Sequence, residues 1–172
     1  LPTEVPVTSP QIRSGPAAAT RPPLHEVAHL GHIELLTPKM CESLWFFVEV
    51  LGMTETCREG NSVYLRTWDD YEHHTVKLTA HETSGIRRVG LRASSQAALE
   101  ARVAAIEAAG LGVAWKDGDP GIGPTYLFHD PDGHELELYW ETEWYVPPDE
   151  LKPSLKNQAQ AYPGRGVCVR RL

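Results

Sequence analysis

Two residue types in this chain sit where ordinary strand geometry would let them do metal or acid–base chemistry. After the turn Asp130-Pro131-Asp132-Gly133, the segment Glu135-Leu136-Glu137-Leu138-Tyr139-Trp140 alternates, so Glu135, Glu137 and Tyr139 share one face and Leu136, Leu138 and Trp140 the other. The turn itself is encoded: Pro131 presets φ at its second position and Gly133 can take positive φ. A carboxylate in mid-strand is either a solvent-facing Glu or a metal ligand or ion-pair partner lining a barrel. His32, in Leu30-Gly31-His32-Ile33-Glu34-Leu35, poses the same choice for an imidazole, with Leu30, His32 and Glu34 expected on one face.

The elements that must position these groups follow from the apolar periodicity. Residues 29–36 read as a strand, and Thr37-Pro38 as the N-cap and first position of a helix with Leu44, Phe47, Val48 and Leu51 as its apolar stripe and Gly52 at its end. Residues 53–58, 62–67 and 73–79 read as three short strands, with Glu59-Gly60-Asn61 as a hairpin turn. The order then repeats. Residues 86–93 form a strand, Ser94 or Ser95 caps a helix with Leu99, Val103 and Ile106 inward, and Gly110 closes it. Strands are expected at 111–115, 125–128 and 135–140.

Laid over each other, the halves align residues 30–35 with 86–91 and residues 75–78 with 135–138, which puts Arg88 opposite His32 and Lys77 opposite Glu137. Such repetition implies two units that share a core. The fold class is therefore α+β: two paired βαβββ modules, about 27–80 and 85–142, forming an eight-stranded half-barrel over residues 25–142. His32, Lys77, Arg88 and Glu137 line its concave face. Residues 1–24 hold six prolines and no apolar periodicity, so they read as a Pro-rich arm, and 143–172 as a connector ending in the strand-like Val167–Leu172.

Composition narrows the partners. The 172 residues carry a net charge of −7 with pI near 5.6, which argues against nucleic acid or an anionic membrane as partner. No apolar run reaches membrane-spanning length. Cys41, Cys57 and Cys168 lack paired spacing and read as reduced packing cysteines of a cytoplasmic protein.

Residues 30–35, 51–53, 63–68, 73–78 and 133–139 resemble, in that order, the N-terminal domain of extradiol catechol 2,3-dioxygenases, within the vicinal oxygen chelate (glyoxalase/bleomycin resistance/dioxygenase) superfamily. The resemblance implies a ring-cleaving oxidoreductase of aromatic catabolism, acting on a catechol-type substrate with O₂ and assembled as a homo-oligomer. It also implies four modules per chain, where two are present here. The family's C-terminal domain holds Fe(II), or in some members Mn(II), through two His and one Glu. Carried onto this sequence, those positions are His32, Arg88 and Glu137. Arg88 is permanently protonated and has no lone pair to give, so the set reads as vestigial and no metal is expected on this segment, with His32 and Glu137 its remaining candidate ligands. The resemblance also puts His74 at the place of an outer-sphere His near O₂, and Leu127 where a catalytic Tyr would stand.

The expectation is thus a non-catalytic N-terminal half whose C-terminal partner domain, which would carry the metal, follows beyond Leu172. The alternatives are a stand-alone binding protein of the bleomycin-resistance type, with Trp45, Trp68, Trp115 and Trp140 as pocket walls, or a small metalloenzyme of the glyoxalase or epimerase type. With no metal, Glu137 needs another compensating charge. It is expected to bond to Arg88 through the guanidinium fork, with His32 or Lys77 nearby.

Overall fold

A computed structural model describes residues 25–67 and 70–144; the arm at 1–24, Trp68 and the strand-like 167–172 lie outside the described residues. The first module runs β1 (Val27–Thr37), α1 (Met40–Leu44) continuing as a π-helical stretch (Trp45–Val50), β2 (Thr54–Glu59), β3 (Ser62–Arg66) and β4 (Val76–Ala80). The second runs β5 (Gly85–Ala93), α2 (Gln96–Ala108), β6 (Gly112–Lys116), β7 (Thr125–His129) and β8 (Glu135–Tyr139). All eight strands form one open sheet in the order β2-β3-β4-β1-β5-β8-β7-β6, so β1 and β5 meet at the centre and each module mirrors the other.

The repeat legible in the sequence is present in the pairing register. β1 runs parallel to β4 with Ile33 opposite Val76 and Leu35 opposite Leu78, and β5 runs parallel to β8 with Val89 opposite Leu136 and Leu91 opposite Leu138. Ile33 and Val89 are therefore equivalent, which makes His32 the counterpart of Arg88 and Lys77 that of Glu137.

Both helices cover the same face of the sheet. Met40, Leu44, Phe47 and Val48 pack on Leu35, Val63, Leu65 and Leu78, while Ala98, Leu99, Val103 and Ile106 pack on Leu91, Ala93, Tyr126 and Leu138. These apolar side chains supply the burial that holds the modules, at roughly 1.5–3 kcal/mol for each fully buried one. α2 starts as its sequence directs, with Ser95 Oγ accepting from the Ala98 N–H at 3.0 Å. Gly60 turns the β2–β3 hairpin at φ 57°, and Gly133 turns the chain into β8 at φ 89°.

Three local expectations are corrected. Pro38 does not open the first helix, which begins at Met40; Thr37 Oγ1 instead accepts from the Lys39 N–H and bonds Ser43 Oγ, bridging strand and helix. The strand expected at 73–79 begins at Val76, because Tyr71 to His74 fold inward as a loop, with Glu72 and His74 buried. Leu30 and His32 do not share a face: Leu30 pairs with Leu91 and His32 with Gly90, a bulge that inserts Gly31 and turns Leu30 to the helix side, where it is 65% exposed. Cys41 and Cys57 are free thiols. No helix among the described residues is long and apolar enough to cross a membrane.

Candidate functional site

The face of the sheet opposite the helices is polar and largely closed to solvent, with His32, Glu34, Tyr64, Arg92 and Glu137 all buried. Two registers organise its centre. Across β4, β1 and β5, Lys77 stands beside Glu34 and Glu34 beside Arg88, a cation–anion–cation row. Across β1, β5 and β8, His32 stands beside Gly90 and Gly90 beside Glu137. Gly90 contributes no side chain, so the His32 ring lies over it and its Nε2 reaches Glu137 Oε1 at 2.6 Å.

Glu137 therefore has His32 beside it and Arg88 within ion-pair range, as expected, but its link to Arg88 is not the one expected. Its second oxygen lies 2.8 Å from Lys116 Nζ and 3.5 Å from Arg88 Nη1, and no guanidinium fork forms. The register explains this: Arg88 is in line with Glu34, at 3.6 Å, and reaches Glu137 only diagonally, while its other terminal nitrogen meets Glu135 at 3.3 Å. Lys77 is also drawn elsewhere, holding both oxygens of Asp119 at 2.9 and 3.0 Å and lying 3.8 Å from Glu34. Burial alone would raise the Glu137 carboxyl, but the His32 imidazole and the Lys116 ammonium outweigh it and hold it down at about 2.

The positions carried over from the resemblance thus come together, His32 and Arg88 each beside Glu137, yet they do not fit a metal ion. Arg88 offers only donors, and the two Glu137 oxygens already stand 2.6 Å from His32 Nε2 and 2.8 Å from Lys116 Nζ. Leu127 is the cross-strand neighbour of Glu137. A different donor group does converge. His32 from β1, His74 from the β3–β4 loop and Asp119 from the β6–β7 loop bring one ligand atom each within 4.8 Å of one another. His32 Nδ1 and His74 Nε2 are buried without a hydrogen-bond partner among the described residues. Burial, with His32, His73 and Lys77 close by, pushes the His74 imidazole down to about 2, so it is neutral across the ordinary pH range. This group shares only His32 with the set His32, Arg88 and Glu137 carried over from the resemblance.

Sequence reasoning missed Asp119, Lys116 and the pair Glu72–Arg92. Asp119 sits in Asp117-Gly118-Asp119-Pro120-Gly121, which reads as an ordinary surface turn, and only the loop's path over the sheet turns its carboxylate inward. Glu72 and Arg92 are both almost fully buried, with Arg92 Nε donating to Glu72 Oε1 at 2.8 Å and Thr142 Oγ1 donating to Glu72 Oε2 at 2.5 Å. Of the tryptophans considered as pocket walls, Trp45 and Trp115 are exposed; Trp115 and Trp140 border an open cavity of about 300 Å³ with Gln96, Leu99, Pro124 and Glu141.

The sequence matches the family described as the Glyoxalase/Bleomycin resistance protein/Dioxygenase superfamily over residues 29–138. It is 50% identical over 150 residues to metapyrocatechase of Geobacillus stearothermophilus, covering 87% of this chain and 46% of that protein. It is 33% identical to a manganese-dependent 2,3-dihydroxybiphenyl 1,2-dioxygenase of Geobacillus genomosp. 3, covering 86% and 47%. Among solved structures, homoprotocatechuate 2,3-dioxygenase from Arthrobacter globiformis shares the fold with a TM-score of 0.67 at 25% identity, over 72% of this chain and 39% of that one. The chain spans about half the length of the curated relatives it matches.

Proposed function

The chain belongs to the Glyoxalase/Bleomycin resistance protein/Dioxygenase superfamily, and on that premise we propose that it is the non-catalytic N-terminal half of an extradiol ring-cleaving dioxygenase. The observation that carries this reading is the 50% identity to metapyrocatechase, which extends over 87% of this chain but only 46% of the relative. The site geometry agrees with it. At the face where a catalytic half would open a metal to catechol and O₂, this chain sets Arg88, and the cations Lys116 and Arg88 flank Glu137 at 2.8 and 3.5 Å. In the catalytic half, Fe(II) or Mn(II) would hold the catechol oxygens beside O₂. The role of the present half is to pack against that domain and, in a cytoplasmic homo-oligomer, to help fix its shape.

The test compares two polypeptides: the 172-residue chain, and the same chain extended by whatever its gene encodes after Leu172. Each is incubated with Fe(II) or Mn(II) and catechol under air while the yellow semialdehyde product is followed. Turnover by the extended protein alone is the expected result. Turnover by the 172-residue chain overturns its assignment as the non-catalytic half, and no turnover by either overturns the dioxygenase reading.

A further inference from the structure

We propose that His32, His74 and Asp119 form a divalent-metal site within this chain, distinct from any metal held by a catalytic half, and that the ion it takes is structural. Two imidazoles and one carboxylate make a donor set suited to a first-row divalent ion. The three ligands come from three separate places: the central strand β1, the β3–β4 loop of the first module and the β6–β7 loop of the second. An ion there would tie one loop of each module to the seam between them.

Both imidazoles present a nitrogen the fold leaves uncommitted. His32 and His74 are 2% and 1% exposed, their rings 4.9 Å apart between centroids, and His32 Nδ1 and His74 Nε2 have no hydrogen-bond partner among the described residues. Buried polar atoms in folded proteins are nearly always paired, so an interior that leaves two of them beside a carboxylate calls for a ligand. The opposite nitrogens are already held. His32 Nε2 meets Glu137 Oε1 at 2.6 Å, and a carboxylate taking the N–H there leaves the lone pair on Nδ1. His74 Nδ1 stands 3.3 Å from His73 Nδ1, and donation from His74 leaves its lone pair on Nε2. A ring N–H given to an outer carboxylate or acceptor is the usual support of a metal-binding imidazole.

Distance and charge set the conditions for loading. Donors around one such ion stand at most about 4.2 Å apart, and these three ligand atoms lie within 4.8 Å of one another, so they are close enough to converge on a single ion. Glu34, Asp119 and Glu137 are matched by Lys77, Arg88 and Lys116. An added dication therefore competes with Lys77, which must yield one Asp119 oxygen and keep the other. Removing the Lys77 charge should tighten binding, a signature that adsorption to surface carboxylates does not share.

The experiment is metal binding to the 172-residue chain, stripped with chelator and equilibrated with Co(II) or Zn(II) alone. Metal content, the visible absorption of bound Co(II) and the thermal midpoint are the readouts. One ion per chain with a raised midpoint is expected, lost in His74→Gln and Asp119→Asn, tightened about tenfold in Lys77→Gln and unchanged in His134→Ala. His134 serves as the control because Asp130, Asp132 and His134 form a second, surface group of potential ligands. Where a variant fails to fold, paramagnetic broadening of the His32 and His74 ring signals by Co(II) in the unaltered chain decides the matter. Substoichiometric binding, binding that survives His74→Gln or disappears with His134→Ala, no tightening in Lys77→Gln, or Co(II) that leaves both ring signals sharp would each overturn the site.

Discussion

His32 reaches Glu137 across the backbone of Gly90, from one module's first strand to the other module's last. A Cβ built at Gly90 would stand 2.3 Å from His32 Cε1 and 2.5 Å from Nδ1, so this glycine is required by close approach rather than by its backbone angles. Gly90→Ala should push the ring off its 2.6 Å contact and cost about 1–3 kcal/mol, while Gly85→Ala, with nothing within 4 Å of its Cβ, should stay within about 0.5 kcal/mol of neutral. Urea unfolding of the two variants makes the comparison. Equal midpoints would mean that the His32 ring is free to move aside.

Glu137→Ala should destabilise more than Arg88→Ala. Glu137 is 2% exposed, meets the buried His32 ring and faces Lys116 and Arg88, so its loss leaves a buried imidazole nitrogen without its partner and Lys116 without its carboxylate, at a cost of about 3–5 kcal/mol. Arg88 spreads its charge over Glu34, Glu135 and Glu137 at 3.3–3.6 Å, and each of those carboxylates except Glu135 keeps another cationic or imidazole neighbour without it. About 1–2 kcal/mol is expected for its removal, because it is partly reached by water. If unfolding measurements put Arg88→Ala at or above Glu137→Ala, then Arg88 rather than Lys116 is the main counter-charge.

The sequence carried the modules and the equivalence of His32 with Arg88, because alternation and caps are local signals and the repeat could be checked against itself. It carried Glu137 as a group needing a partner, because burial of a charge has a known cost. It did not carry the partner. Which cation meets Glu137 depends on the in-register place of Gly90 and on Lys116 reaching across from β6, neither of which a single strand's pattern contains. Asp119 and Glu72 were equally hidden: both lie in loops, where periodicity is silent and only the path of the chain over the sheet turns a side chain inward, and His74, also in a loop, was singled out by the resemblance alone. Leu30 was misplaced for a related reason, since a one-residue bulge reverses every face assignment on its far side.

The buried pair Glu72–Arg92 should matter to the joining of the modules. Glu72 lies in the first module's β3–β4 loop, and it accepts from Arg92 on β5 and from Thr142 beyond β8, both in the second. The Tyr71 hydroxyl also meets Arg92; burial foremost, aided by Glu72 and opposed by Arg92, pushes it up to about 12. Glu72→Ala should cost about 3–5 kcal/mol by leaving a buried guanidinium unmatched, and Thr142→Val about 1 kcal/mol. Limited proteolysis of Glu72→Ala should cut between β3 and β4 sooner than in the unaltered chain. A cleavage pattern and unfolding midpoint matching the unaltered chain would show that this pair does not hold the modules together.

The turn before β8 should show a pH dependence confined to a defined window. Asp130 Oδ2 lies 2.8 Å from His134 Nδ1, and Asp130 Oδ1 accepts the backbone N–H groups of Asp132 and His134 at 2.9 Å. The bond to Asp130 raises the His134 imidazole above its ordinary 6.5, and the same bond, with the backbone donors, lowers the Asp130 carboxyl below its ordinary 3.8. The His134 contribution is complete below 6.5 and is lost as pH rises through the raised folded value; the Asp130 contribution is complete above 3.8 and is lost as pH falls through the lowered one. The turn is therefore tightest between those two pH values. Both groups are reached by solvent, so the effect is small and should fade with added salt. Asp130→Asn keeps a carbonyl oxygen for the backbone donors but removes the charge, so an NMR titration should find the His134 midpoint lowered toward 6.5. An unchanged midpoint in that variant would assign the shift to something other than Asp130.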